Sequence, residues 1–190
     1  MSLVTEQTPL PGVVLIKPKK FGDDRGYFLE TFRESTYRTL GLELPFVQDN
    51  SSLSSKGVLR GLHLQWPNPQ AKLVSVAYGA IFDVAVDVRR GSPTFGKSYG
   101  VELSAQNGWQ LYIPKGFAHG FCALDERNVI CYKCSNYYSP ETERTILWND
   151  DDLGIAWPVS NPLISPKDQQ GLRLRDIPSD LLPPYVSGKV

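Results

Sequence analysis

Two short stretches contain the only histidines of the chain and decide how the sequence folds. The first is Gly57-Val58-Leu59-Arg60-Gly61-Leu62-His63, and the second is Pro114-Lys115-Gly116-Phe117-Ala118-His119-Gly120-Phe121. Both combine strand-forming residues with glycines, which permit turns and irregular backbone. Because an imidazole can exchange a proton near neutral pH, both histidines are candidate functional residues.

The two stretches resemble the paired sequence boxes of the cupin β-barrel. Gly57 with His63 matches the first box, and the spacing Gly108-x5-Pro114-x-Gly116-x2-His119 matches the second. Metal-binding cupins carry a second His and a Glu in the first box, where this chain has Gln65 and either Pro69 or Gln70. Two of the four donors are therefore replaced, so the resemblance implies the fold without a metal site. We predict an all-β, cupin-type jelly roll with short helices near the N-terminal third and the C-terminus.

The length and composition fit one folded unit. A chain of 190 residues can bury a sizeable core, and 41% hydrophobic with 21% charged residues is ordinary for a globular protein. Fifteen Pro and sixteen Gly favour the many turns of an all-β fold. We predict a single domain over residues 1–190, with its core at about 10–175 and a C-terminal tail, 176–190, that is poorly ordered.

Short strand-like runs separated by turn residues extend along most of the chain. One helix is predicted at Glu34–Leu40, ended by Gly41. The predicted strands are Val13–Lys17, Gly26–Thr31, Val58–Trp66, Leu73–Tyr78, Ile81–Val88, Tyr99–Leu103, Gln110–Ile113, Gly120–Ala123 and Val129–Ser135.

Charge and cysteine content exclude several classes of protein. Twenty basic and twenty acidic residues balance, so no overall field attracts nucleic acid. No apolar run approaches membrane-spanning length and the N-terminus lacks a signal-peptide pattern, from which we expect a cytoplasmic protein. Cys131 and Cys134 form a C-x-x-C, but residues three apart on a strand point to opposite faces, so we interpret the pair as coincidental.

Strand alternation predicts which side chains share a face. Lys72 falls on the face of Val74 and Val76, and Asp83 falls on the face opposite Val84. Strict alternation would separate Arg60 from His63. Since a glycine within a strand often marks a bulge, we predict an irregularity at Gly61 that lets both side chains reach one cavity.

A longer series of motifs, from about residue 10 to about residue 172, resembles the dTDP-4-dehydrorhamnose 3,5-epimerase family. The motifs are Phe21-Gly-Asp-Asp-Arg25-Gly-Tyr-Phe-Leu-Glu30, Val47-Gln48-Asp49-Asn50-Ser51, Arg60-Gly-Leu-His63, Lys72, Asp87-Val-Arg-Arg-Gly-Ser-Pro-Thr-Phe95-Gly96, the His119 box, Tyr132-Lys133, Glu143 and Lys167-Asp168. The resemblance implies a homodimer, with N-terminal strands pairing across subunits, that inverts C3 and C5 of a dTDP-linked 4-keto-6-deoxyhexose. It implies no cofactor, and the chain has no dinucleotide fingerprint.

The same resemblance implies the roles of individual residues. His63 is the expected base and Tyr132 the acid on the opposite face of the sugar. Lys72 is the expected cation beside the enolate oxygen, and Asp168 orients His63, with Asp83 as a second candidate for that task. The substrate-binding set is expected to be Arg25, Glu30, Gln48, Asp49, Asn50, Arg60, Lys72, His119, Tyr138, Glu143 and Lys167.

The sequence leaves three alternative functions open. A metal-dependent cupin is disfavoured by Gln65 and the missing Glu. A cupin that only binds a sugar would not need a base together with an acid. An epimerase that inverts only C3 or only C5 would share both groups, so the residues do not separate it from the double epimerase.

Overall fold

The computed structural model describes residues 3–186, which form a β-sandwich with few helices. The two helices are short: α1 (Glu34–Arg38) and α2 (Pro166–Gln169). The strands are β1 (Leu3–Gln7), β2 (Val14–Pro18), β3 (Lys20–Asp23), β4 (Gly26–Leu29), β5 (Gln48–Ser54), β6 (Val58–Gln65), β7 (Lys72–Tyr78), β8 (Ala80–Asp87), β9 (Ser98–Ser104), β10 (Gln110–Ile113), β11 (Phe117–Ala123), β12 (Asn128–Cys134), β13 (Glu143–Thr145) and β14 (Leu163–Ile164). The predicted all-β jelly roll is confirmed.

Two six-stranded sheets face each other. One has the order β1-β2-β10-β7-β12-β5, and the other has the order β13-β6-β11-β8-β9, with β14 pairing parallel to β6. The hairpin of β3 and β4 stands apart from both sheets. All other strand pairs are antiparallel, which lets each sheet present one face to the interior of the sandwich.

The apolar core between the sheets follows the alternation of the strands. Val74 and Val76 enter it from β7, and Ile81 and Ala85 enter it from β8. Each is less than a tenth exposed, and burying a side chain such as Val or Ile contributes about 1.5–3 kcal/mol. Lys72 shares the inward face of Val74, as predicted, so the polar end of this core opens into a cavity.

Two further apolar clusters cover the outer faces of the sheets. The segment that contains α1 places Tyr37 over the first sheet, where its hydroxyl donates to Gln110 at 2.5 Å. The C-terminal segment covers the second sheet with Leu174, Ile177 and Leu182. This packing differs from the expected poorly ordered tail, because these leucines and the isoleucine bury their side chains among Val84, Val86 and Val88 of the second sheet. Residues 187–190 lie outside the described part of the chain.

Five strands were not predicted: β1, β3, β5, β13 and β14. β5 reads Gln-Asp-Asn-Ser-Ser-Leu-Ser, which has few strand-forming residues, and β13 and β14 are only three and two residues long. β5, β13 and β14 form because long-range pairing with β12 and β6 overrides weak local preference.

The two cysteines of the C-x-x-C lie on β12 and point to opposite faces, as predicted. Cys134 is buried next to the amide of Asn50, while Cys131 faces outwards near Ser51. All three cysteines are free. Within residues 3–186, no helix is long and apolar enough to cross a membrane.

Candidate active site

A cavity of about 350 Å³ lies between the two sheets at the polar end of the core. Strands from both sheets line it, so groups on opposite walls face one another across the space. The structure brings together nine of the predicted site residues here: Gln48, Asn50, Arg60, His63, Lys72, His119, Tyr132, Tyr138 and Glu143.

An irregularity in β6 places Arg60 and His63 on the same wall. Between its pairs with Phe121 and His119 of β11, the strand β6 advances three residues while β11 advances two. Gly61 occupies this point with φ +123°, and a Cβ there would lie 2.6 Å from the Cα of Gly120. The predicted bulge is confirmed, and close contact between the two backbones explains why a glycine stands on each side.

His63 is held by Asp168 from α2. Its Nε2–H donates to Asp168 Oδ1 at 2.6 Å, since an ionised carboxylate only accepts. Burial alone would raise the pKa of Asp168, but hydrogen bonds from His63 and the Gly61 amide hold that pKa below its ordinary value. Asp168 therefore stays ionised and fixes the tautomer of His63, leaving Nδ1 as the nitrogen that can accept a proton.

Asp83 pairs with the other histidine. His119 Nε2 lies 2.8 Å from Asp83 Oδ1, and both residues are buried. Burial lowers the pKa of His119, although the charge of Asp83 opposes that shift. Of the two carboxylates considered for orienting His63, the geometry therefore selects Asp168, and Asp83 serves His119.

Lys72 and Tyr132 lie on the wall opposite His63. They belong to neighbouring strands β7 and β12 of the first sheet, whereas His63 belongs to β6 of the second. Burial lowers the pKa of Lys72, while the charges of Cys134, Glu143 and Asp83 oppose this effect. Burial also raises the pKa of the Tyr132 phenol, so this group keeps its proton at neutral pH. Tyr132 also packs against the core, so it has a structural role as well.

Glu143 links the cavity to the surface. Its Oε1 lies 3.9 Å from Nδ1 of His63, and its Oε2 accepts from the Tyr138 hydroxyl at 2.8 Å and from the Lys167 ammonium. Burial would raise the pKa of Glu143, but the hydrogen bonds from Lys167 and Tyr138 keep it below its ordinary value. Lys167 does not line the cavity itself and reaches it through this carboxylate.

Three residues of the predicted substrate-binding set lie away from the cavity. Arg25 is paired with Asp23 in the exposed β3–β4 hairpin, and Glu30 is paired with Arg33. Asp49 also lies outside the cavity, because alternation along β5 turns Gln48 and Asn50 inwards and Asp49 outwards. There it accepts from Lys133 at 2.8 Å.

The cavity also contains residues that sequence reasoning did not assign. They are Ser52, Leu64, Gln65, Pro69, Gln70, Gly116, Phe117 and Phe121. Ser52 lies on the same inward face of β5 as Gln48 and Asn50. The alternation that would have predicted this was missed because β5 was not predicted as a strand. Gln65, at the lost metal-ligand position, donates to the carbonyls of Asn68 and Tyr137. Its amide therefore links the segment after β6 to the segment after β12.

The donor set of the cavity does not match a cupin metal site. His63 and His119 are the only histidines of the chain, and Gln65, at the position of a further ligand, directs its amide to the backbone. Among residues 3–186, no group of three or more His, Cys, Asp or Glu side chains is placed to hold one ion.

Comparison with known proteins identifies the family. Residues 7–176 match the family described as dTDP-4-dehydrorhamnose 3,5-epimerase. A Neisseria gonorrhoeae protein of that name is 57% identical over 165 residues, covering 86% of this chain, although the chain spans only about half (50%) of that longer relative. A Shigella flexneri protein of the same name is 52% identical over 90% of this chain and 95% of its own.

The solved structures agree with this assignment. A dTDP-6-deoxy-D-glucose-3,5-epimerase from Legionella pneumophila, crystallised in complex with dTDP-4-keto-L-rhamnose, superposes with a TM-score of 0.95. It is 48% identical, and the match covers 98% of this chain and 100% of that one. The chain therefore belongs to the dTDP-4-dehydrorhamnose 3,5-epimerase family.

Proposed function

We propose that the protein converts dTDP-4-dehydro-6-deoxy-D-glucose into dTDP-4-dehydro-L-rhamnose by inverting C3 and C5, in dTDP-L-rhamnose biosynthesis. The observation that carries this proposal is the arrangement of His63 and Tyr132. A carboxylate-held imidazole and a protonated phenol face each other across one cavity. Inverting a carbon requires removal of a proton from one face and its return from the other, which these two groups are placed to perform.

The ketone at C4 makes this chemistry accessible, because it acidifies the hydrogens on C3 and C5. Nδ1 of His63 takes the proton, the C–H bond breaks, and its electron pair forms an enolate with the C4 oxygen. The tautomer set by Asp168 leaves Nδ1 free to accept. The Tyr132 hydroxyl then gives its proton to the opposite face of the same carbon, completing the inversion.

Lys72 is the proposed counter-charge for the enolate. Its largely buried ammonium lies on the same wall as Tyr132 and faces the cavity. A cation gains attraction as negative charge moves onto the C4 oxygen, so it stabilises the transition state more than the substrate.

The remaining cavity residues suit the nucleotide and the sugar. Arg60 is positioned by bonds to Ser54 Oγ and the Leu53 carbonyl, and its planar guanidinium matches diphosphate oxygens. Gln48 donates to Asn50, so the two amides form a fixed pair for a thymine edge or a ribose. We assign the sugar ring to His119 and to the Tyr138, Glu143 and Lys167 group.

We further propose a homodimer in which N-terminal strands pair across subunits. Among residues 3–186, β1 forms the edge of its sheet and pairs only with β2, and the nearby hairpin exposes Phe28. An uncovered edge and an exposed aromatic favour association. Arg25 and Glu30, which lie outside the cavity of one chain, contact substrate only if a second copy delivers them.

The free cysteines fit a reducing compartment, so we place the enzyme in the cytoplasm.

Proton NMR of the product tests this function against the alternatives. The purified protein is incubated with dTDP-4-dehydro-6-deoxy-D-glucose in the presence of EDTA and without nicotinamide, because no step moves a hydride or needs an ion. We expect inversion at both C3 and C5. Inversion at one centre would assign a single-centre epimerase, binding without conversion would assign a sugar-binding cupin, and activity lost only with EDTA would restore the metal-dependent cupin.

A further inference from the structure

Inverting two carbons of one bound sugar requires the same base to act twice, whereas a single inversion requires it to act once. After the first half-reaction, Nδ1 of His63 carries a proton and Tyr132 is a phenolate. His63 can act as a base again only after that proton leaves, and the substrate still fills the cavity. The enzyme therefore needs a route from Nδ1 to solvent that does not pass through the sugar.

Glu143 lies at the start of such a route. Its strand β13 pairs directly with β6, with Thr145 opposite His63. This register places Glu143 Oε1 3.9 Å from His63 Nδ1, the nitrogen that Asp168 leaves free. Within residues 3–186, no hydrogen bond occupies Oε1.

The second oxygen of Glu143 contacts two residues that are exposed to solvent. Oε2 accepts from the hydroxyl of Tyr138 and the ammonium of Lys167. The Glu143 side chain is 10% exposed, whereas that of Lys167 is 53% exposed and Tyr138 is 50% exposed. The carboxylate thus spans the distance between the base and the solvent, with one oxygen on each side.

The other groups around His63 offer no comparable exit. Asp168 is 3% exposed, and its oxygens accept from His63 and the Gly61 amide. His119 is buried and directs Nε2 to Asp83. Lys72 and Tyr132 lie on the opposite wall, across the sugar, and the guanidinium of Arg60 has no acceptor for a proton.

We propose that Glu143 carries the proton of His63 to solvent between the two inversions and so resets the base, a role that rests on the proposed function. The protonated imidazole attracts the Glu143 carboxylate, which closes the 3.9 Å between Nδ1 and Oε1 to hydrogen-bond distance. The Nδ1–H bond then breaks, its electron pair stays on Nδ1, and an O–H bond forms at Oε1. Water then removes this proton. The Tyr132 phenolate takes one proton from water, so the enzyme returns to its starting state with no net gain or loss.

Glu143→Gln tests the proposal, because it keeps the shape and the contacts of Oε2 but cannot carry the proton. The product mixture is followed by NMR during turnover, for the variant and the wild-type enzyme. We expect the ratio of singly inverted to doubly inverted sugar to rise at least about tenfold, since a missing proton-transfer group commonly costs 10²–10⁴-fold in the step that it serves. Glu141→Gln, in the neighbouring exposed turn, is the control and should keep the wild-type ratio.

A second variant separates a proton carrier from a residue that only supports the fold. Glu143→Ala should accumulate the singly inverted sugar, and added acetate should restore the doubly inverted product in proportion to its concentration. An unchanged product ratio in Glu143→Gln, equal loss of both inversions, or no effect of acetate would overturn the proposal. Wild-type enzyme that inverts only one carbon would instead overturn the proposed function, and the relay with it.

Discussion

At the residue scale, the orientation of His63 decides what the site can do. Asp168 holds Nε2, so Nδ1 faces the cavity as the acceptor. We expect His63→Asn to fold normally and to lose about 10²–10⁴-fold in turnover, the usual contribution of a general base. Circular dichroism and a thermal melt verify the fold, and a product assay measures the loss. A folded variant that keeps more than about a tenth of wild-type turnover would remove His63 from this role.

The sequence was informative about which residues meet in the cavity and less so about how they pair. Short motifs around His63, Lys72 and Tyr132 pointed to groups that the structure brings together in one cavity. They could not show that Asp168, 105 positions away, bonds to His63 while Asp83 bonds to His119. Such partnerships depend on the packing of α2 and β8 against β6 and β11, which no local pattern specifies.

At the element scale, the bulge in β6 brings Arg60 and His63 to one wall. We expect Gly61→Ala to destabilise the protein by about 1–3 kcal/mol and to reduce activity, because its Cβ would meet the β11 backbone and its φ is strained. Gly91→Ala is the matched control, since Gly91 has φ +80° but open space around a Cβ. Thermal melts and activity assays of both variants measure the difference. Equal effects would mean that positive φ alone, not the close contact with β11, makes Gly61 necessary.

The turn after β8 depends on the buried carboxylate of Asp87, which accepts from Arg89, Ser92 and Thr94. Burial would raise the pKa of Asp87, but these donors hold it below its ordinary value of 3.8. The folded-state pKa is depressed, so this stabilisation is present above the ordinary value and is lost as pH falls through the folded value.

Asp87→Asn should therefore cost about 3–5 kcal/mol near neutral pH, since it leaves Arg89 without its buried partner. Urea unfolding of variant and wild type across pH measures the cost, which should shrink as the wild type is acidified. A difference in free energy of unfolding that stays constant down to strongly acidic pH would contradict this assignment.

The strands β7 and β8 were predictable because each is a run of mostly apolar, strand-forming residues. β5 was not, although it supplies Gln48, Asn50 and Ser52 to the cavity. Its polar sequence has weak strand preference and forms only by pairing with β12 along seven positions. Without this strand, the sequence could not show that Asp49 lies outside the cavity while its two neighbours line it.

At the scale of the whole molecule, the exposed N-terminal edge predicts assembly. Light scattering at micromolar concentration should give twice the mass of the single chain. Phe28→Asp should weaken the dimer because it places a charge on an apolar surface, whereas Leu163→Asp, equally exposed on the other sheet, should not. A monomeric wild-type protein at this concentration would contradict the assembly and the delivery of Arg25 from a second copy.

Turnover in heavy water tests the central claim that one base and one acid invert two carbons through an enolate. Each inversion exchanges a carbon-bound proton with solvent, so NMR of the wild-type product should show deuterium at both C3 and C5. Tyr132→Phe should continue to exchange deuterium with retained configuration while epimerisation falls, because His63 can return what it removed. Lys72→Met should suppress both exchange and epimerisation, since the enolate loses its counter-charge. Deuterium at C3 alone would identify a 3-epimerase, and deuterium at neither carbon would contradict the enolate mechanism.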